Sequence, residues 1–247
     1  MVHPLSVQLY SVRDLIAGDR DGVLRRIAQI GYGAVEPYDP LDDPKGFRRV
    51  AEDLGLGVSG AHAIALVHQE PGPVFEAVAT LGTDTVVLPA GIDENEFTTR
   101  DGLARAADLL NGLAAQAAGF GLRFGYHNHW WEFEPRIDGR HALEVLADLT
   151  APEVSFEIDT YWAAVGGAQV PDVLRRLGDK VSALHVKDGP VVKGEPHTAV
   201  GKGAMAVPEI LAASLEAWRI VELDSCATDI FEALADSHAY LTGLESK

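Results

Sequence analysis

The sequence predicts an α/β fold of eight strand–helix repeats closed into a single (β/α)8 TIM barrel spanning residues 1–247. Three observations predict it. Short β-rich runs alternate with longer amphipathic helical patterns from one end of the chain to the other. No linker or low-complexity tract interrupts them. A length of 247 residues is what one such barrel uses. Sequential parallel strands joined by helices close most simply into a barrel. The open doubly wound sheet is the structural alternative, but the glycine fingerprint that usually follows its first strand is absent.

The first strand is read at 5–9 (LSVQL) and leads to a helix at 20–31, which Gly31 ends in the left-handed conformation that favours glycine. Strand 34–36 (AVE) precedes helix 44–54, followed by Gly55. Strand 57–62 (GVSGAH) precedes helix 72–81, followed by Gly82. The β-branched run 85–88 (TVVL) is the fourth strand, and 98–119 is the longest helix. Strand 123–129 (RFGYHNH) pairs with helix 140–149, and strand 154–159 (VSFEID) with helix 170–178, which has Pro171 near its start and Gly178 at its end. Strand 182–186 (SALHV) precedes helix 207–217, with Pro208 near its start. Strand 219–223 (RIVEL) and helix 228–243 complete the eighth repeat.

Composition narrows the function. Twenty Lys and Arg against 37 Asp and Glu give a net charge of −17, a surface that repels phosphate backbones and anionic lipid headgroups. Neither nucleic acid nor a membrane is the expected partner. The lone Cys226 cannot form an internal disulfide. The opening MVHPLSVQLY lacks the basic segment and apolar run of a secretory signal, so the chain reads as cytoplasmic. No apolar stretch reaches the roughly eighteen residues of a membrane span.

In a TIM barrel the C-terminal ends of the strands form the active face. Here those ends carry Gln8, Tyr10, Glu36, His62, His127, His129, Asp159, His185, Lys187, Glu222 and Asp224. The pairs 8/10, 127/129, 185/187 and 222/224 each share a face by the strand period of two, so an inward face makes them converge. Singly, each is better explained as a solvated loop residue or a hydrogen-bonded structural group. Together, Glu132, Asp159, His185 and Glu222 supply three carboxylates and one imidazole, an oxygen-rich set that favours Mn²⁺ or Mg²⁺, with Co²⁺ as a further candidate and Mn²⁺ the expected ion.

Five runs carry a resemblance: YHNHWWEFE at 126–134, EIDTYWAAVGG at 157–167, LHVKD at 184–188, GKG at 201–203 and VELD at 221–224. With VQLYSVRD and GYGAVEPY near the start, the chain resembles the sugar phosphate isomerase/epimerase family. This xylose isomerase-like TIM barrel group includes inosose dehydratases, ketose 3-epimerases and hydroxypyruvate isomerases. The resemblance implies that Glu132, Asp159, His185 and Glu222 hold one divalent metal that grips two adjacent sugar oxygens. It also implies that Glu132 and Glu222 act as acid and base, with Glu134 competing for the role of Glu132. Glu36, His62, His127, His129, Trp162 and Lys187 are the expected substrate contacts. The activity implied is isomerisation, epimerisation or dehydration of a small sugar, keto-sugar or cyclitol such as an inosose.

The sequence departs from the family in two places. Trp162 stands where ketose epimerases and inosose dehydratases carry a His three residues beyond the metal Asp. The stretch after His185 lacks the usual Arg, leaving Lys193 or His197 to replace it. A keto-sugar, inosose or oxidised glycoside is therefore favoured over a free ketohexose. Elimination of an aglycone beside a 3-keto group is a variant of the same chemistry. The rivals are a catalytically silent sugar-binding barrel and an abasic-site endonuclease, the latter opposed by the charge of −17. Gly201 and Gly203 are read as a turn that could also cradle a phosphate, and His68 as a surface residue. Barrels of this kind often pair into homo-oligomers, but nothing here selects a dimer over a tetramer.

Overall fold

The structure is a computed structural model and describes residues 3–245. Nine parallel strand segments form one sheet: β1 (Ser6–Gln8), β2 (Ala34–Glu36), β3 (Gly57–Val58), β4 (Ala61–His62), β5 (Thr85–Leu88), β6 (Arg123–His127), β9 (Val154–Asp159), β10 (Val181–Val186) and β11 (Trp218–Val221). A separate antiparallel hairpin, β7 (Arg136–Ile137) and β8 (Arg140–His141), sits in the loop after β6. Sheet order runs β3-β2-β1-β11-β10-β9-β6-β5-β4. Its two ends, β3 and β4, are consecutive in the chain, so the sheet wraps into a nearly closed barrel. These two segments are the halves of the third strand read at 57–62, broken at Ser59 and Gly60. A Cβ at Gly60 would lie 2.8 Å from Glu36 Oε1, so the backbone passes Glu36 at a distance only glycine permits.

Helices α1 (Arg13–Ile30), α2 (Pro44–Asp53), α3 (Pro71–Leu81), α4 (Arg100–Ala118), α5 (Ala142–Leu149), α6 (Thr160–Val165), α7 (Val170–Leu177), α8 (Val207–Ala212) and α9 (Ile230–Glu245) follow the strands. The first begins earlier than its pattern predicts because it is kinked at Asp19, whose carboxylate then caps Gly22 N and restarts the helix near residue 20. Gly31 (φ 117°) and Gly82 (φ 91°) end their helices in the left-handed region. Pro171 and Pro208 lie in the first turns of α7 and α8. The short α6 was not legible as a helix; Asp159 at the end of β9 starts it by accepting Trp162 N at 2.8 Å.

Apolar side chains pack between sheet and helices, with Leu24, Ile27, Phe75, Leu110, Phe156 and Leu184 fully buried. The barrel interior is different. Its N-terminal layer is small and polar, with Ser6 bonded to Ser59 at 2.8 Å and Ser182 to Ser155 at 3.1 Å. Its C-terminal layer is charged. Parallel register sets Gln8 beside Glu36, His127 beside Glu157 and His185 beside Asp159. No described helix is long and apolar enough to cross a membrane.

Candidate metal and substrate site

Two cavities flank the charged layer. The front cavity, about 470 Å³, opens at the C-terminal ends of the strands and is lined by Tyr10, His62, His127, His129, Trp130, Trp162, Lys187, Glu222 and Asp224 among others. The rear cavity, about 510 Å³, opens at the N-terminal end, passes Ser59, Thr85, Ser155 and Ser182, and reaches Glu36 and Glu157 from behind.

Two sets of side chains between them bring ligand atoms within 4.8 Å of one another: an outer set of His127, Asp159, His185 and Glu222, and an inner set of His62, His127, Glu157 and His185. Every member is buried. In the outer set His185 Nδ1 lies 2.7 Å from Glu222 Oε2, and His127 Nε2 faces Asp159 Oδ2 at 3.8 Å, too far for a hydrogen bond. Asp159 is anchored by Asn128, whose side chain accepts Asp159 N at 2.9 Å and donates to Asp159 O at 3.2 Å.

Lys187 crosses the outer set. Its Nζ is 2.7 Å from Asp159 Oδ2, 2.7 Å from Glu222 Oε2, and 2.9 and 3.0 Å from the two oxygens of Asp224. Trp162 Nε1 donates to the same Asp224 at 3.0 Å. Burial pushes Asp159 up to about 6 against the pull of Lys187. Burial also raises Glu222, but Lys187 and His185 outweigh it and hold that carboxylate well below its ordinary range. His127 is driven down to about 3 by burial and the neighbouring His185, so it is neutral. For His185, burial is outweighed by Glu157 and Glu222, which hold its pKa well above the ordinary imidazole value, and the Nδ1 proton is the one the ring would give up on ligating a metal.

Glu132 does not join this set. The strand ends at His127, and the chain folds back so that Glu132 Oε1 accepts Tyr126 Oη at 2.7 Å and Oε2 accepts His129 N at 2.8 Å. It is fully buried, lines neither cavity, and burial pushes it up to about 8. Glu134 is exposed. The carboxylate expected from this loop is thus replaced at the outer set by an imidazole, His127, which the sequence reading placed on the substrate. Glu36 is also displaced from its expected role: it lies behind His185, accepts Gln8 Nε2 and lies 2.8 Å from His185 Nε2, and does not line the front cavity. His62, His127, His129, Trp162 and Lys187 all do. Glu157 was missed, although the period of two from Asp159 pointed it inward.

The glycine pair cradles a carboxylate of the chain itself. Asp188 accepts the amides of Gly189 and Met205 on Oδ1 and of Gly201 and Gly203 on Oδ2, all at 2.8–3.0 Å. A turn is the outcome, and its amides are already occupied.

The outer donors fit a metal. Two imidazole nitrogens and two carboxylate oxygens this close span the coordination sphere of a single ion. The lone pair of a neutral His127 facing a carboxylate oxygen is stable when a cation lies between them. Asp224 offers Lys187 acceptors of its own.

Residues 24–216 match the family model described as xylose isomerase-like TIM barrel. No curated protein sequence matches. Among solved structures, a sugar phosphate isomerase/epimerase from Parabacteroides distasonis is 23% identical, with a TM-score of 0.79 over 98% of this chain and 94% of that one. An L-ribulose 3-epimerase is 17% identical, TM-score 0.70, over 100% and 95%. The IOLI protein with a bound zinc atom is 16% identical, TM-score 0.76, over 99% and 98%.

Proposed function

The chain belongs to the xylose isomerase-like TIM barrel family, and from that premise we propose that it is a divalent-metal-dependent isomerase, epimerase or dehydratase acting on a small sugar, keto-sugar or inosose. One observation carries the reading: His127, Asp159, His185 and Glu222 converge beside a front cavity that His127 and Glu222 line together with Trp130 and Trp162. These four would hold the metal, with Mn²⁺ proposed as the ion. When bound, such an ion supplies Lewis acidity toward a carbonyl and its neighbouring hydroxyl.

The chain's own groups do the rest. A proton beside a carbonyl is weakly acidic, and its loss creates negative charge that must be met where it develops. Glu222, kept ionised by Lys187 and His185, is the proton acceptor at the cavity wall. Lys187 presents an ammonium to the developing oxyanion. His129, held neutral by burial, is the second group able to carry a proton, the role the family resemblance gave to Glu132. Trp130 and Trp162 offer flat apolar faces to a sugar ring. Return of the proton to carbon gives epimerisation or isomerisation, and expulsion of a neighbouring hydroxide or glycosidic oxygen gives dehydration or elimination.

The test is exchange of solvent deuterium into the carbon beside the carbonyl of keto-sugars and inososes, followed by NMR with metal-loaded protein. Exchange that disappears in Glu222→Gln supports the reading. A folded, metal-loaded protein that exchanges none of them, or a Glu222→Gln variant that exchanges as fast, refutes it. The cation already resting on Asp159 and Glu222 favours one second reading, a metal-free barrel that binds sugar without turnover.

A further inference from the structure

Behind the floor of the front cavity lies a carboxylate that the reaction above does not use. Glu157 is 1% exposed and stands two residues before Asp159 on β9. Its Oε2 is the meeting point of three imidazoles: His62 Nε2 at 2.5 Å, His127 Nδ1 at 3.1 Å and His185 Nε2 at 3.1 Å. Its Oε1 has no hydrogen-bond partner among the described residues, and Glu157 lines the rear cavity. Glu157 does not line the front cavity.

His127 and His185 each turn one nitrogen inward and the other outward. His127 gives Nδ1 to Glu157 and Nε2 to the side of Asp159. His185 gives Nε2 to Glu157 and Glu36, and Nδ1 to Glu222. A neutral imidazole has one N–H and one lone pair, and an acceptor on one nitrogen leaves the lone pair on the other. A carboxylate in that place also makes the outward nitrogen a stronger donor.

We infer that Glu157 is a positioning residue: by accepting N–H from His127 Nδ1 and His185 Nε2, it fixes both rings in the tautomer that turns His127 Nε2 and His185 Nδ1 to the outer set as metal ligands. This rests on the metal-binding reading of that set. Glu36 supports His185 as well, 2.8 Å from Nε2, whereas among the described residues Glu157 is the one hydrogen-bond acceptor for His127 Nδ1. His127 is therefore the ring that depends on it most.

The experiment titrates Zn²⁺ and Co²⁺ into wild type, Glu157→Gln and Glu157→Leu against a chelator of known affinity, with circular dichroism to verify folding. Long-range ¹H–¹⁵N spectra of the Zn²⁺-loaded proteins report the imidazole tautomers. One equivalent of metal is expected in wild type, with His127 protonated at Nδ1. Affinity should fall about 10- to 100-fold in Glu157→Leu. Glu157→Gln, which keeps one acceptor oxygen, should fall between the two, and the His127 signal should lose its fixed tautomer in Glu157→Leu. Unchanged affinity and tautomer in folded Glu157→Leu overturn the inference while leaving the metal reading intact. Two equivalents in wild type, the second lost in Glu157→Leu, also overturn it, because Glu157 would then be a ligand of the inner set. No metal binding by wild type overturns the metal reading and this inference together.

Discussion

Replacing Lys187 with Met keeps the length of the side chain and removes its charge from a site where it is 1% exposed. The ammonium now lies 2.7 Å from both Asp159 and Glu222. At an effective dielectric of about 20, each such contact amounts to roughly 6 kcal/mol of attraction before desolvation is subtracted. Removing one partner of a buried ion pair costs about 3–5 kcal/mol net, because the remaining charge is stranded. For a chain of this size, each kcal/mol moves Tm by about 2–4 °C, so Lys187→Met without metal should melt roughly 6–20 °C lower. A divalent ion at the outer set supplies the missing charge to the same two carboxylates. The variant should therefore gain more from added Mn²⁺ or Zn²⁺ than wild type does, and bind the ion more tightly. Scanning calorimetry of both proteins, in chelator and in excess metal, measures this. An unchanged Tm in chelator, or equal metal increments in the two proteins, would refute the reasoning.

Two further outcomes are expected elsewhere in the chain. Asp188→Ala removes the acceptor of four backbone amides, so the 189–205 loop should become the first site of proteolytic cleavage, with about 2–4 kcal/mol lost in urea unfolding and Asp188→Asn recovering part of it. Burial raises Glu132 to about 8 from an ordinary 4.5, so the folded state binds more protons than the unfolded one across that interval. Its contribution to stability is complete below pH 4.5 and is lost as pH rises through 8, and Glu132→Gln should flatten that decline in unfolding curves taken from pH 4 to 9.

The misplacement of Glu132 shows how far a linear reading reaches. The strand ends at His127, two residues before the pattern at 123–129 predicts, and that end decides which side chains face the barrel axis. With the strand ending at His127, the loop turns back on Tyr126, and the carboxylate that the family pattern assigned to the metal becomes a buried brace for its own loop. Glu36 shows a second limit. Its place at the end of a strand marks it for the active face but cannot tell front from rear, because depth along the axis depends on the tilt and register of neighbouring strands.

The eight repeats, the caps at Gly31 and Gly82, the acidic surface and the ring of polar strand ends were legible in the linear chain, because periodicity and turn chemistry act over a few neighbouring residues. The assignment of Asp159, His185 and Glu222 to one cluster was legible as well, since each ends or follows a strand that must point inward. Which groups meet was a matter of folding. Lys187 on two of the outer carboxylates, His127 completing the outer set, and Glu157 behind both rings come from strands far apart in sequence. Their separations follow from barrel closure and strand stagger, and no local pattern in the chain encodes a distance across the barrel.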